Sequence, residues 1–291
     1  MSKEKIKLPQ AYAQSIFPPH FVGNKIPTKR KPLRLHPRTH TPSFSRSGIT
    51  IGVIPIGGKG TRLGWLGNFL PKSLVPLGQK PMLYLIIKNM QIMGIKQIYL
   101  LVNYKSNLIK KYLKDEDEFK NLKIRFLKSE PDLGLADVIL KTEKYIKKPF
   151  VTILGDDFTK SLILKQFTMV KLPKDAIVLE AVCVEKNRTI LSQTCEVQVN
   201  TKNQITKAVE KPKKPRSNLR GCGIYLFTPQ IYDYIRKTKH SLITKKREIT
   251  DTINLTAKDK KAYAWNLKGV NININSQLDL EKATKCLYSL K

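Results

Sequence analysis

From Gly48 onward the chain alternates between two hydrophobic periods. Apolar, β-rich runs occur at 49–56, 97–102, 123–127, 150–154 and 176–184. Near-continuous runs of this kind mark strands buried on both faces. Between them, at about 81–93, 106–114 and 135–146, apolar residues return at helical spacing. Gly94 stands where a terminating glycine would end the first of these helices. Shorter β-like pieces follow at 195–200, 205–209 and 222–227, and helical pieces at about 229–237, 248–257 and 277–289. Alternating strands and helices predict an α/β fold with three layers, a Rossmann-like, mostly parallel sheet covered on both faces. No internal repeat is present.

Residues 1–48 break this pattern. They hold seven of the 17 prolines and ten Lys/Arg against one acid, Glu4, with no strand or helix period. This composition predicts a disordered basic arm, leaving 49–291 as the folded domain. The net charge of +32 would suit a polyanion partner. It is spread along the whole chain, however, which argues for solvated surface, and nucleic acid is not expected as a partner. The four cysteines, Cys183, Cys195, Cys222 and Cys286, have no metal-ligand spacing and are expected as thiols in a reducing cytoplasm. No apolar run is long enough to span a membrane and no secretory core is present, so a cytoplasmic location is expected. His240 is the one histidine outside the arm, which leaves little material there for histidine acid/base catalysis.

The candidate chemistry begins where the first strand ends. Gly57-Gly58-Lys59-Gly60-Thr61-Arg62 is a turn whose glycines let the backbone bend and aim N–H groups at an anion. Arg62 and, ten residues on, Lys72 add positive charge. The turn lacks the GKS/GKT ending of a P-loop and the spacing of a dinucleotide fingerprint. With the following LVPLGQKPML, the pattern resembles the sugar-phosphate nucleotidylyltransferases, most of all the glucose-1-phosphate thymidylyl/uridylyltransferase branch. The resemblance runs from residue 49 to about 288. It implies the nucleotide-diphospho-sugar transferase fold, with Gly58, Gly60, Thr61, Arg62 and Lys72 around the nucleotide phosphates.

Later segments resemble the same family in order. Gly134, in Pro131–Ala136, would let backbone approach the base. Leu154-Gly155-Asp156-Asp157 would supply Asp156 as an Mg²⁺ ligand, with Asp157 a cap or a solvent contact. Glu210 and Lys211, in an EKP motif, would bind sugar hydroxyls and sugar phosphate. Gly223 and Tyr225 would line the sugar pocket, and Glu248 is read as structural. The family usually places a second metal-binding aspartate where this chain has Asn273, and often a glycine where it has Cys195. The resemblance thus implies an enzyme that joins an NTP, dTTP or UTP, to a sugar-1-phosphate, glucose-1-phosphate first, with Mg²⁺ as cofactor. Another NTP and sugar, such as GTP with mannose-1-phosphate, and a non-catalytic nucleotide-binding homologue remain open, as does a homo-oligomer.

Overall fold

The computed structural model describes residues 43–44, 48–58, 60–242 and 244–289. The main elements are β1 (Ile51–Pro55), α1 (Trp65–Phe69), α2 (Met82–Ile92), β2 (Gln97–Val102), α3 (Ser106–Asp115), β3 (Lys123–Lys128), α4 (Leu135–Leu140), β4 (Phe150–Ile153) and β5 (Asp157–Lys160). They continue with β6 (Val178–Val184), α5 (Arg188–Gln193), β7 (Cys195–Val199), β8 (Ile205–Glu210), β9 (Leu219–Phe227), α6 (Ile231–Lys237), α7 (Ile249–Lys258), β10 (Ala262–Asn266), β11 (Val270–Asn273) and α8 (Gln277–Tyr288).

Strands β3, β2, β1 and β4 lie side by side and parallel. β9 follows antiparallel to β4, then β6 antiparallel to β9, then β10 parallel to β6. Alternation along the strands sends Val53, Tyr99 and Phe150 to one face and Ile54, Leu100 and Val151 to the other, and each face carries its own core. Leu83, Ile86, Ile87 and Met90 of α2 cover one face. Ile139 of α4, Ile231 and Ile235 of α6, and Ile249 and Ile253 of α7 cover the other. Each such buried side chain contributes roughly 1.5–3 kcal/mol. The three-layer, mostly parallel sheet expected from the hydrophobic pattern is therefore the observed one. α2 ends as expected, with Gly94 at φ 86 and its N–H on the Gln91 carbonyl at 2.9 Å.

The differences have local causes. The helix expected over 135–146 stops at Leu140. The Thr142 hydroxyl bonds back to the Ile139 carbonyl at 2.7 Å and meets the Tyr232 hydroxyl at 2.8 Å, so the chain leaves the helical ladder there. β5, β10 and β11 have no counterpart in the hydrophobic pattern. β11 reads Val-Asn-Ile-Asn, and asparagine is poor strand material. Here Asn271 is satisfied: its Oδ1 accepts from Arg220 Nη1 at 2.9 Å, and its Nδ2 donates to Thr159 Oγ1 at 2.9 Å and to the Cys222 carbonyl at 3.0 Å. Within the expected arm, Ser43–Phe44 pairs antiparallel with Leu172–Pro173. The rest of the arm up to Ser47 lies outside the described residues.

β9 links the central sheet to its smaller extension. On one edge it pairs first with β7, through Leu219 and Arg220, and then with β4, through Ile224–Phe227. Between the two partners sits Gly223 at φ 62, and a Cβ there would strike the Asp157 carboxylate. Gly223→Ala is expected to destabilise by roughly 2–4 kcal/mol, from the left-handed backbone and the displaced buried acid. Urea unfolding measures this; a loss below about 1 kcal/mol would remove the steric role.

Candidate active site

The glycine turn leaves the end of β1 and is closed by Lys72. Gly60 adopts φ 72, and a Cβ there would sit 3.1 Å from Lys72 Cβ. The Lys72 N–H points back to the Gly58 carbonyl at 3.5 Å, a long contact, and the Leu63 N–H bonds the Gly60 carbonyl at 2.9 Å. Thr61 opens the single 3-10 turn Thr61–Leu63 that carries Arg62. The loop thereby brings its two described cations to one point. Lys72 Nζ donates to Asp156 Oδ2 at 2.8 Å and to Asn275 Oδ1 at 3.0 Å, and Arg62 Nη2 donates to the same Asn275 oxygen at 3.1 Å.

Asp156 comes from the turn between β4 and β5. That turn fits tightly against β1: the Gly155 N–H bonds the Pro55 carbonyl at 3.2 Å, and a side chain at Gly155 would collide with Ile56. The Asp156 carboxylate is 32% exposed and Lys72 13%, so their pair is half-buried and faces open space. Asp157 departs from expectation. It neither caps nor meets solvent: it is buried beneath Gly223 and accepts from Asn273 Nδ2 at 3.1 Å. Burial, then the charge of Asp156, push its carboxyl well above the usual range. The register of β11 on β5 sets Asn273 opposite Asp157. Asn273 Oδ1 in turn accepts from Asn275 Nδ2. Asn275 is fixed by the start of α8, where Asp279 Oδ2 accepts its N–H at 3.1 Å while forming a capping box with Ser276. One polar chain thus runs from the loop cations through two asparagines to a buried acid.

Open space surrounds this chain. A cavity of about 590 Å³ is bounded by Gly57, Gly58, Lys72, Asn103, Ser129 and Asp156. A second, of about 270 Å³, is bounded by Asp156, Cys195, Glu210, Lys211, Gly223 and Tyr225. Arg62, Leu135, Leu154, Asp156 and Glu248 belong to both. In the smaller cavity Lys211 holds φ 46, unusual for a residue with a side chain, with Nζ 4.0 Å from Glu210 Oε1. Its N–H on the Thr194 carbonyl at 2.9 Å holds this backbone bend. Tyr225 stacks on Phe227 with centroids 5.4 Å apart, and burial raises its phenol far above its ordinary range.

Of the residues expected from sequence, Gly58, Arg62, Lys72, Asp156, Glu210, Lys211, Gly223, Tyr225 and Asn273 border one or both cavities, and Gly60 lies beside Gly58, Arg62, Lys72 and Asp156 on an adjoining recess. Gly134 does not border either cavity. Its bare Cα lies against the backbone of Arg247, where any side chain would collide, and the Ala136 N–H bonds the Arg247 carbonyl at 3.3 Å. Gly134 serves packing of α4 on the segment leading into α7. Two residues take roles that their motifs do not announce. Asn275 joins Asn273 in the polar chain, and Glu248, expected to be structural, borders both cavities. The Ser276–Asp279 capping pattern is a usable signal for the first, since it fixes where α8 begins and so where Asn275 points.

Residues 51–271 match the nucleotidyl transferase family. Over 235 residues the chain is 32% identical to the bifunctional protein GlmU of Methanocaldococcus jannaschii, covering 81% of this chain and 53% of that protein, about half its length. It is 28% identical over 239 residues to the UTP–glucose-1-phosphate uridylyltransferase AglF of Haloferax volcanii, covering 81% of this chain and 95% of that one. The fold superposes on a solved structure of UDP-glucose pyrophosphorylase complexed with UDP-glucose with a TM-score of 0.73, over 82% of this chain and 98% of that one, at 24% identity. The glycine turn, the carboxylate turn beside it and the match across 51–271 lead to one statement: the chain belongs to the nucleotidyl transferase family.

Proposed function

We propose that the protein transfers a nucleotidyl group from an NTP, UTP or dTTP, to a sugar-1-phosphate, glucose-1-phosphate first, releasing pyrophosphate. The observation that carries this reading is the position of Arg62 and Asp156 in the wall common to two cavities, the larger against the glycine turn. The larger suits the nucleotide and the smaller the sugar phosphate. In this reading 49–291 is the transferase domain and the basic arm lies outside it.

The reaction asks little of acids and bases. A phosphate oxygen of the sugar phosphate is already ionised at neutral pH and attacks the α-phosphorus in line, breaking the bond to pyrophosphate. Catalysis is then orientation and charge neutralisation. Arg62 and Lys72 hold the triphosphate and the leaving pyrophosphate, and Lys211 holds the incoming sugar phosphate. Lys72 neutralises Asp156. A triphosphate competes for that ammonium and releases the carboxylate.

The donor set suits a hard divalent cation: the Asp156 carboxylate and the Asn273 amide oxygen, which here accepts from the Asn275 amide, with the buried Asp157 beside them. Asp156 and Asn273 would hold Mg²⁺, which supplies charge neutralisation at the phosphates.

A second reading, GTP as the nucleotide, is favoured by Glu130 and Asp132 on the larger cavity. A carboxylate there complements the two adjacent N–H donors of guanine, whereas uracil and thymine offer one donor between two carbonyls. A matrix of NTPs against sugar-1-phosphates, scored by pyrophosphate release, decides between the two.

Asp156→Ala is expected to lower kcat on the order of 10²–10³-fold or more; an unchanged rate takes Asp156 out of the site. Lys211→Ala should raise KM for the sugar phosphate and leave KM for the NTP within about 2-fold, since its contact is to the sugar phosphate alone. Asn273→Asp places a carboxylate opposite Asp157. It should lower the melting temperature without Mg²⁺, and Mg²⁺ should restore it and reach half-maximal rate at a lower concentration. Equal Mg²⁺ requirements in both proteins would remove Asn273 from the cation site.

A further inference from the structure

Glu180 lies in the middle of β6, among Val178, Leu179, Ala181, Val182 and Cys183. It is 0% exposed, and neither carboxyl oxygen has a hydrogen-bond partner. A buried polar group left in that state is destabilising. Its register partners are Tyr225 on β9 and Ala264 on β10, and the pairing with β9 slips between Glu180 and Val182. Such irregularities re-aim a side chain, often beside an active site.

The carboxyl is aimed at the smaller cavity. Its Oε1 occupies the space a Cβ at Gly221 would fill, and Cys195 Cβ lies 3.6 Å from that same point. Gly221, Cys195, Tyr225 and Glu210 all border the cavity. Glu180 therefore stands directly behind its wall, in the room left by a residue without a side chain. The ionisable groups around it are Glu210 from β8, Cys195 from β7 and Tyr225 from β9. None is a cation. Burial, with the charge of Glu210, pushes the Glu180 carboxyl up to about 8. At neutral pH it is a carboxylic acid, with one O–H donor beside one carbonyl acceptor.

We propose that Glu180 determines specificity for the sugar, its carboxyl group hydrogen-bonding two neighbouring hydroxyls of a pyranose ring seated over Gly221. This rests on the smaller cavity being the sugar side of a nucleotidyl transfer. Adjacent ring hydroxyls offer a donor and an acceptor in the order the acid needs, and they satisfy both orphaned oxygens at once. A ring bearing an extra anionic group in this position is disfavoured by Glu210.

The test uses the full chain at saturating NTP, with the sugar-1-phosphate it turns over fastest and the analogues of that substrate lacking one ring hydroxyl at a time. In the wild type, removal of a paired hydroxyl should lower kcat/KM about 10- to 100-fold, mainly through KM. Glu180→Leu should cost a similar factor on the parent sugar and add less than about 2-fold on that deoxy analogue. Glu180→Gln keeps a donor and an acceptor and should stay within about 5-fold of wild type. KM for the NTP should not move. Should Glu180→Leu not fold, Gly221→Ala, whose methyl displaces the carboxyl, should show the same coupling. Losses that multiply independently across all analogues, or an equal rise in both KM values, overturn the role of Glu180. No pyrophosphate release by the wild type with any sugar-1-phosphate overturns the transfer reading itself, and this role with it.

Discussion

The geometry of the site depends on one buried acid. Asp157 has its carboxyl inside the protein, beneath β9 and next to Asp156. Burying such a group is costly unless it is hydrogen-bonded. Its neighbours answer that cost. Gly223 removes the side chain that would crush it, Asn273 donates to it, and the pairing of β5 with β11 keeps the two in register. Asn275 follows from Asn273, and Arg62 and Lys72 follow from Asn275. Change the acid and this polar chain loses its buried end, while the glycine turn keeps the Lys72–Asp156 pair.

The local charge pattern differs from the global one. A net charge of +32 surrounds the molecule with a positive potential, screened over about 8–10 Å at physiological salt. Among the described residues bordering the two cavities each cation has a defined partner: Lys72 on Asp156, Arg62 on Asn275, Arg220 on Asn271, Lys246 near Asp132 and Lys211 near Glu210. The diffuse charge affects encounter, and the paired charges set position.

The parallel strands and the helices of the first half are legible because burial on both faces writes continuous apolar runs into the sequence, as at 97–102 and 150–154. β11 is hidden because its stability comes from side-chain hydrogen bonds to Arg220, Thr159 and Asp157, residues far away in sequence. Arg62, Lys72, Asp156, Glu210, Lys211, Gly223 and Tyr225 can be placed from motifs, since each motif lies close to a strand or its end. Asp157 cannot. The motif suggests a cap or solvent contact, and only the pairing of β5 with β11 shows it buried beneath Gly223. Gly134 shows the converse error: a glycine beside a pocket invites a ligand explanation, while its real constraint is the Arg247 backbone.

β9 holds Gly221, Gly223 and Tyr225 in nine residues of one strand and is bonded along its length to β6, β7 and β4. Its partner β4 runs directly into the turn that carries Asp156. The wall of the smaller cavity and the carboxylate shared with the larger one are thus neighbouring strands of a single ladder. Their spacing is set by backbone pairing, strands lying about 4.8 Å apart, and not by the reach of flexible loops. The relative placement of the two cavities is consequently a property acquired when the sheet forms. The entropy of aligning them is largely met during folding and need not be met again at each encounter.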